Sequence, residues 1–227
     1  MTSRITMNIR IYLFGIGLLS STIFAGTMGN ENTRLIQNGF YLAGEIGTAS
    51  LVDKESHSLL PETHQLGSSG IIGGGYLGYE YGISDYCGLS LEFFADATGF
   101  NAAITHEPFT YHHNQSHDIG VRVLPEYAFT PETTGHIILG YSNGQFNISD
   151  NGVYGYIDNS FTTNGFQTGL GFTTLLRDNF SLRFDAIYDI YASETRSGAG
   201  LTAGTTQLYT NAFSTLAGEL SLIYKFS

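Results

Sequence analysis

A strict alternation of apolar and polar residues runs through most of this chain and commits it to strands with two unlike faces. In residues 180–191, Phe180, Leu182, Phe184, Ala186, Tyr188 and Ile190 oppose Ser181, Arg183, Asp185, Ile187, Asp189 and Tyr191. Residues 88–96 set Leu89, Leu91, Phe93 and Ala95 against Gly88, Ser90, Glu92, Phe94 and Asp96. Residues 118–129 set Ile119, Val121, Val123, Pro125, Tyr127 and Phe129 against Asp118, Gly120, Arg122, Leu124, Glu126 and Ala128. The closing stretch opposes Leu216, Gly218, Leu220, Leu222, Tyr224 and Phe226 to Ala217, Glu219, Ser221, Ile223 and Lys225. Weaker alternation over 39–50, 71–81, 135–142 and 164–176 completes a set of eight expected strands.

A soluble sandwich also alternates, so the contents of the two faces must decide. One face carries Leu, Ile and Val with Phe or Tyr near the segment ends; the other carries Gly, Ser and opposite charges. Strands that are apolar outside and polar inside, with aromatic ends, describe a transmembrane β-barrel, and the aromatic ends suit the two bilayer interfaces. The connections then alternate in length: long at 51–70, 97–116, 143–163 and 192–209, short at 82–86, 130–134 and 177–179. Short periplasmic turns between long outer loops are the rule for membrane barrels, whereas a sandwich has no reason to keep that order. The short segments hold turn chemistry in Ser84-Asp85, Thr130-Pro131-Glu132 and Arg177-Asp178-Asn179. The last of these sets a register that places Phe172 opposite Phe184 and Gly171 opposite Asp185. The expected fold is all-β: an eight-stranded antiparallel up-and-down transmembrane β-barrel with four long outer loops. Glycine, 29 of 227 residues, is expected where the strands curve tightly.

Residues 1–10 carry Arg4 and Arg10 and no acid, residues 11–24 are apolar or small, and Ala25 and Gly26 follow. That order is the secretory signal pattern, with cleavage expected after Ala25 or Gly26. As a transmembrane anchor the apolar run would be only about 21 Å of helix, short of a ~30 Å hydrocarbon core. The expected organisation is a cleaved signal peptide over 1–26, a short polar lead over 27–38 and the barrel over 39–227, with no periplasmic domain after it. A formal net charge of −11 argues against nucleic acid as a partner. Cys87 is the single cysteine, so no disulfide framework is expected; beside a short turn it reads as a small interface residue.

The terminal run Leu220-Ser221-Leu222-Ile223-Tyr224-Lys225-Phe226-Ser227 resembles the C-terminal strand of bacterial outer-membrane proteins. Gly75-Tyr76-Leu77-Gly78-Tyr79-Glu80-Tyr81 and Leu139-Gly140-Tyr141 likewise resemble strands of the opacity-protein and OmpA/OmpX-like small barrels. The resemblance implies a bacterial outer-membrane location among lipid and lipopolysaccharide. It also implies that Leu220, Leu222, Tyr224 and Phe226 are a signal read by the barrel-insertion machinery. Members of this family serve as adhesins, evasion factors and structural tethers, and rarely as enzymes.

Eight strands enclose just enough room for side chains to fill the interior. By the alternation, the inward acids are Glu45, Glu80, Glu92, Asp96, Asp118, Glu126, Asp185, Asp189 and Glu219, against Arg122, Arg183 and Lys225. Such an excess is costly in a confined lumen unless charges pair or carboxyls hold protons. Arg183 with Asp185, and Arg122 between Asp118 and Glu126, are expected to anchor an interior polar network; a proton or ion path is the alternative. Six histidines, His57, His64, His106, His112, His113 and His117, fall in or at the edge of the first two expected long loops. Their spacing matches no closed metal motif, so no metal and no cofactor are expected. A lipid A deacylase or lipase would need Ser and His on one strand face, yet Ser116 and His117 are adjacent and should face opposite ways. No catalytic residues are expected. The expected role is structural or adhesin-like, with host or surface ligands met by loops rich in Asn, Gly, Ser, Thr and Tyr.

Overall fold

A computed structural model of the chain describes residues 36, 38–58, 63–100, 102–106, 109–152, 155–199 and 206–226. The signal segment 1–26 and most of the lead 27–38 lie outside the described residues. Ten strands follow in order: β1 (Gly39–His57), β2 (Thr63–Gly82), β3 (Cys87–Thr98), β4 (Ala102–His106), β5 (Phe109–Ala128), β6 (Thr133–Gly152), β7 (Gly155–Arg177), β8 (Phe180–Tyr191), β9 (Glu194–Ala199) and β10 (Thr206–Lys225). Neighbours in the ring run β1-β2-β3-β5-β6-β7-β8-β10, all antiparallel, and β10 pairs back onto β1 from Tyr41↔Lys225 to His57↔Tyr209. The sheet therefore closes as an eight-stranded barrel. The two short strands continue their predecessors after a break. β4 pairs with β5 beyond the end of β3, and β9 pairs with β10 beyond the end of β8.

The expected register holds: Phe172 lies opposite Phe184 and Gly171 opposite Asp185. The turn that sets it is a tight connection in which Asp178 adopts φ 44°, a left-handed conformation that aspartate tolerates better than most residues. Ser84 Oγ accepts from the Cys87 amide at 3.0 Å, and Thr130 Oγ1 from the Thr133 amide at 3.0 Å, so side chains close the other two turns. At the same end the supposed polar lead contributes to packing. Ile36 is buried, and Asn38 Oδ1 accepts from the Gly82 amide at 2.7 Å.

The four long outer loops are a correction. Strands run through most of those segments, since β1 continues to His57, β6 continues to Gly152, and β7 begins already at Gly155. The reason is an inversion of faces part-way along the wall. In the turn-side half of β6 the outward residues are Ile137, Leu139 and Tyr141; further on they are Asn143, Gln145 and Asn147, while Phe146 and Ile148 turn inward and are buried. β7 repeats the switch, from exposed Phe166, Leu170 and Phe172 to Asn164, Thr162 and Ser160. In β1, Leu42 and Ile46 give way to Ser50, Lys54 and Ser56. Such segments have loop-like composition but fold as wall because their amides pair side by side. Asn143 Nδ2 donates to Asn164 Oδ1 at 2.8 Å, Gln145 Nε2 to Ser160 Oγ at 3.0 Å, and Asn147 Nδ2 to Asn114 Oδ1 at 2.8 Å.

Twenty residues of antiparallel strand, as in β6, measure about 68 Å along the chain and rise about 50 Å at barrel tilt, twice the ~25 Å of a lipid-facing belt. The belt is the turn-side half, and the outer half stands in water. Inside the outer half, Phe146 stacks on Phe213 at 4.3 Å and meets Tyr191 edge-on at 4.9 Å, with Phe161 at 5.9 Å. Such aromatic pairs contribute about 0.5–1.5 kcal/mol each beyond the area they bury.

The two halves should answer differently to charge. Leu139→Arg, in the belt, is expected to destabilise the folded protein in lipid vesicles by about 2–4 kcal/mol. Thr162→Arg, above it and exposed, should stay within about 0.5 kcal/mol of wild type. Urea titrations followed by the mobility difference between boiled and unboiled protein measure both.

Candidate functional site

The lumen of the lipid-spanning half is filled by a charged cluster that several strands build together. Glu92 of β3 lies at its centre. Arg183 of β8 reaches it through Nη2 at 3.2 Å, with Nη1 against the other oxygen, and Tyr41 of β1 donates its hydroxyl at 2.7 Å. Arg183 also holds Asp185, two residues along the same face, through Nε at 2.6 Å. His136 Nε2 lies 2.7 Å from the other Asp185 oxygen. Arg122 of β5 points at Glu45 (3.3 Å), Glu92 (3.6 Å) and Glu219 (3.9 Å) from β1, β3 and β10. Both guanidiniums also face rings: Arg122 lies 4.2 Å from the Phe94 centroid, and Arg183 lies 4.4 Å from that of Tyr76, a favourable cation–π placement.

The partners expected for Arg122 are thus corrected. Asp118 and Glu126 sit four residues away on the same strand, about 13 Å at strand rise, beyond ion-pair reach. Side chains from the neighbouring strand and from across the lumen come closer. Asp118 instead accepts from the Tyr191 hydroxyl at 2.9 Å, and Glu126 stands in register between Gly88 and His136. Asp189 accepts from Gln167 and Thr215, each at 2.9 Å. Asp96 stands in register opposite Asp118 and Gly74. Together with Asp118, Asp189 and Glu219 it lines a cavity of about 10 Å³, room for about one water molecule. Lys225 reaches Glu80 at the turn end.

Two contributors were not legible as site residues. His136 was visible in the sequence only as a histidine near a turn. The glycines were expected for curvature, yet they also provide clearance. A Cβ on Gly78 would collide with the Tyr41 ring, which lies across β2 on its way to Glu92.

A second cluster lies in the outer half. Asp53 and Glu55 of β1 meet His113 of β5, and one ligand atom from each lies within 4.8 Å of the other two. All three are buried. His113 Nδ1 is 2.6 Å from Asp53 Oδ2. The Asn211 amide donates to Asp53 Oδ2 at 2.9 Å and to Glu55 Oε2 at 3.2 Å. Strand extension brings them together: without the outer wall, His113 and Asp53 would belong to separate loops. Of the other loop histidines, His112 and His117 face outward and are exposed, and the side chains of His57, His64 and His106 lie outside the described residues. The expectation that Ser116 and His117 face apart is also corrected. A bulge between Gln115 and His117 leaves Ser116 out of the ladder, with its hydroxyl 3.3 Å from His117 Nδ1 and 3.4 Å from the Gln145 carbonyl. At the turn end, partly buried Cys87 opens β3.

Leu220, Leu222, Tyr224 and Phe226 all face outward and are exposed. Tyr224 packs between Phe180 at 5.1 Å and Phe226 at 5.2 Å, part of an aromatic rim at the turn end. In architecture the chain is a small β-barrel of the outer-membrane type: closed, antiparallel and apolar around its belt. No protein-family model and no curated protein matches it. Among solved structures it is similar to the outer membrane protein OprG from Pseudomonas aeruginosa, with 12% identity and a TM-score of 0.46 over 85% of this chain and 99% of that one. It is similar too to a major outer membrane protein from Thermus thermophilus, with 13% identity and a TM-score of 0.44 over 81% and 99% of the two chains. Neisserial surface protein A gives 13% identity and a TM-score of 0.41 over 83% and 97%.

Glu92→Gln leaves two buried guanidiniums short of a charge partner and is expected to cost about 3–5 kcal/mol. In a double-mutant cycle with Arg183→Met, the double variant should lose about 1–3 kcal/mol less than the sum of the singles. Equilibrium unfolding in vesicles reads both.

Proposed function

We propose that this chain is an outer-membrane barrel in which the lipid-spanning half is a filled anchor and the outer half is a surface for contact with other cells or matrix. The observation that supports this most is the inversion of the wall. A barrel that served only to sit in lipid would gain nothing from twenty-residue strands with an aromatic core above the belt. A wall built that way carries its outward side chains on paired strands rather than on loops. Its outward residues on β6 and β7, Asn, Gln, Ser and Thr, offer hydrogen bonds, the composition of adaptable binding surfaces. Arg196 of β9 lies on the inner side of this wall, 3.1 Å from the Phe161 centroid. Partial burial draws its pKa below the ordinary arginine value, against the opposing pull of Glu194.

In this reading the segment 1–26 directs export, the C-terminal aromatic strand is the mark read at insertion, and lipid and lipopolysaccharide surround the belt. A proton or ion path is disfavoured by the side chains that fill the lumen: Arg122, Arg183 and Glu92 are all buried there. An enzyme of the lipase or deacylase kind is disfavoured by geometry. The His136–Asp185 and His113–Asp53 pairs are buried, while the Ser116–His117 contact lies on the outer wall, where Ser116 also meets a backbone carbonyl.

Replacing segments 59–62 and 200–205, which join β1 to β2 and β9 to β10 in the sequence, with short Gly-Ser linkers is expected to lower adhesion of expressing cells to epithelial cells or matrix at least tenfold. Heat-modifiable migration should be unchanged. Undiminished adhesion would refute the contact role and leave the barrel intact. In planar bilayers the wild-type protein should show no steps above leak; regular steps would overturn the filled anchor.

A further inference from the structure

We propose that Asp53, Glu55 and His113 form a binding site for one divalent transition-metal cation, with Zn²⁺ as its representative, inside the outer half of the barrel. Asp53 and Glu55 are two residues apart on β1 and so project from the same face, while His113 comes from β5, with β2 and β3 between them in the ring. Asn211 stands directly opposite Glu55 in the β1–β10 register and bridges both carboxylates with its amide. Outer hydrogen bonds of that kind fix the orientation of ligating carboxylates.

A separate observation points to a missing partner. Asp53 is 1% exposed, and its buried Oδ1 has no hydrogen-bond partner among the described residues. Buried carboxylate oxygens are ordinarily satisfied, and leaving one bare carries a desolvation penalty. A cation between the imidazole and the two carboxylates supplies the absent interaction and offsets their charge in a confined space. The donor set selects the ion. Calcium and magnesium favour oxygen ligands throughout, whereas one imidazole with two carboxylates suits first-row transition ions. Two ligand atoms on a tetrahedral Zn²⁺ at about 2.0 Å stand about 3.3 Å apart. The His113–Asp53 contact of 2.6 Å therefore opens slightly as the ion enters. A small cleft lined by Glu55, Asn211, Tyr209 and Arg196 adjoins the cluster. The site lies outward of Ile46, Ile119 and Leu216, the last belt residues on β1, β5 and β10, so the ion arrives from water. Once bound, it ties β1 to β5 through the interior.

The test uses the full barrel folded in detergent micelles, titrated with Zn²⁺ alone by calorimetry and by thermal melting. Wild type is expected to bind one ion per chain and to melt at a higher temperature with it. Asp53→Asn and His113→Ala should each weaken binding at least ~100-fold, since even outer-shell changes cost ~10–100-fold. His112→Ala/His117→Ala, which removes the exposed histidines, should bind as wild type. The absence of Zn²⁺ binding to wild type overturns the site. So does retention of affinity in Asp53→Asn, or loss of binding on removing His112 and His117. If His113→Ala fails to show heat-modifiable migration, Asp53→Asn, which keeps the side-chain volume, decides through Co²⁺. The visible d–d band expected of wild type must vanish in it, and its persistence counts against the site.

Discussion

Closure of the ring is the constraint on which everything else rests. Lipid offers no hydrogen bonds to an exposed N–H or C=O, so a sheet can cross it only without edges. The pairing of β1 with β10 meets this condition over seventeen consecutive register partners. Closure in turn fixes what the interior must hold. With eight strands the lumen is too narrow for bulk water, and residues pointing inward must satisfy one another. The bonds among Glu92, Arg122, Arg183, Tyr41 and Asp185 follow from that confinement, as do the glycines that give those side chains room.

The same strands then solve a second solvent problem. Above the belt the surroundings are water, and a sheet face pointing outward gains from amides and hydroxyls while the inward face gains from rings. In β1, β6 and β7 the chain changes the meaning of its two faces without changing its pleat, whereas in β5 the bulge at Ser116 shifts the pleat by one residue, so that His113 and Gln115 face inward above Asp118. Tyr191 marks the seam, since its ring packs on Phe146 while its hydroxyl donates to Asp118 and accepts from Gln115. An aromatic core on one side and a charged network on the other are joined by one side chain.

Strand identity, barrel closure, face assignment in the belt and the register at Phe172 and Phe184 were all legible in the sequence, because a two-residue period and a tight turn are local facts. The outer wall was not. Asn143, Gln145 and Asn147 read as loop composition, and only their cross-strand partners show that they are paired. Arg122 was misjudged for a related reason: proximity in sequence suggested Asp118 and Glu126, whereas the barrel brings residues from β1, β3 and β10 to within 4 Å. His113 and Asp53, sixty residues apart, are joined only by the ring. Contacts across a lumen leave no periodic trace.

The neutral amides along the outside of β6 and β7 have a kinetic consequence. Charged surfaces draw partners from a distance and lose that advantage as salt rises. The side chains of Asn143, Gln145, Asn147, Ser160, Thr162 and Asn164 on this face bear no charge. In the proposed contact role, an encounter on this face would proceed at the ordinary unsteered rate of about 10⁵–10⁶ M⁻¹s⁻¹. Selectivity in that role would lie in how long a partner stays, and these amides would hold it alike in dilute and salty surroundings.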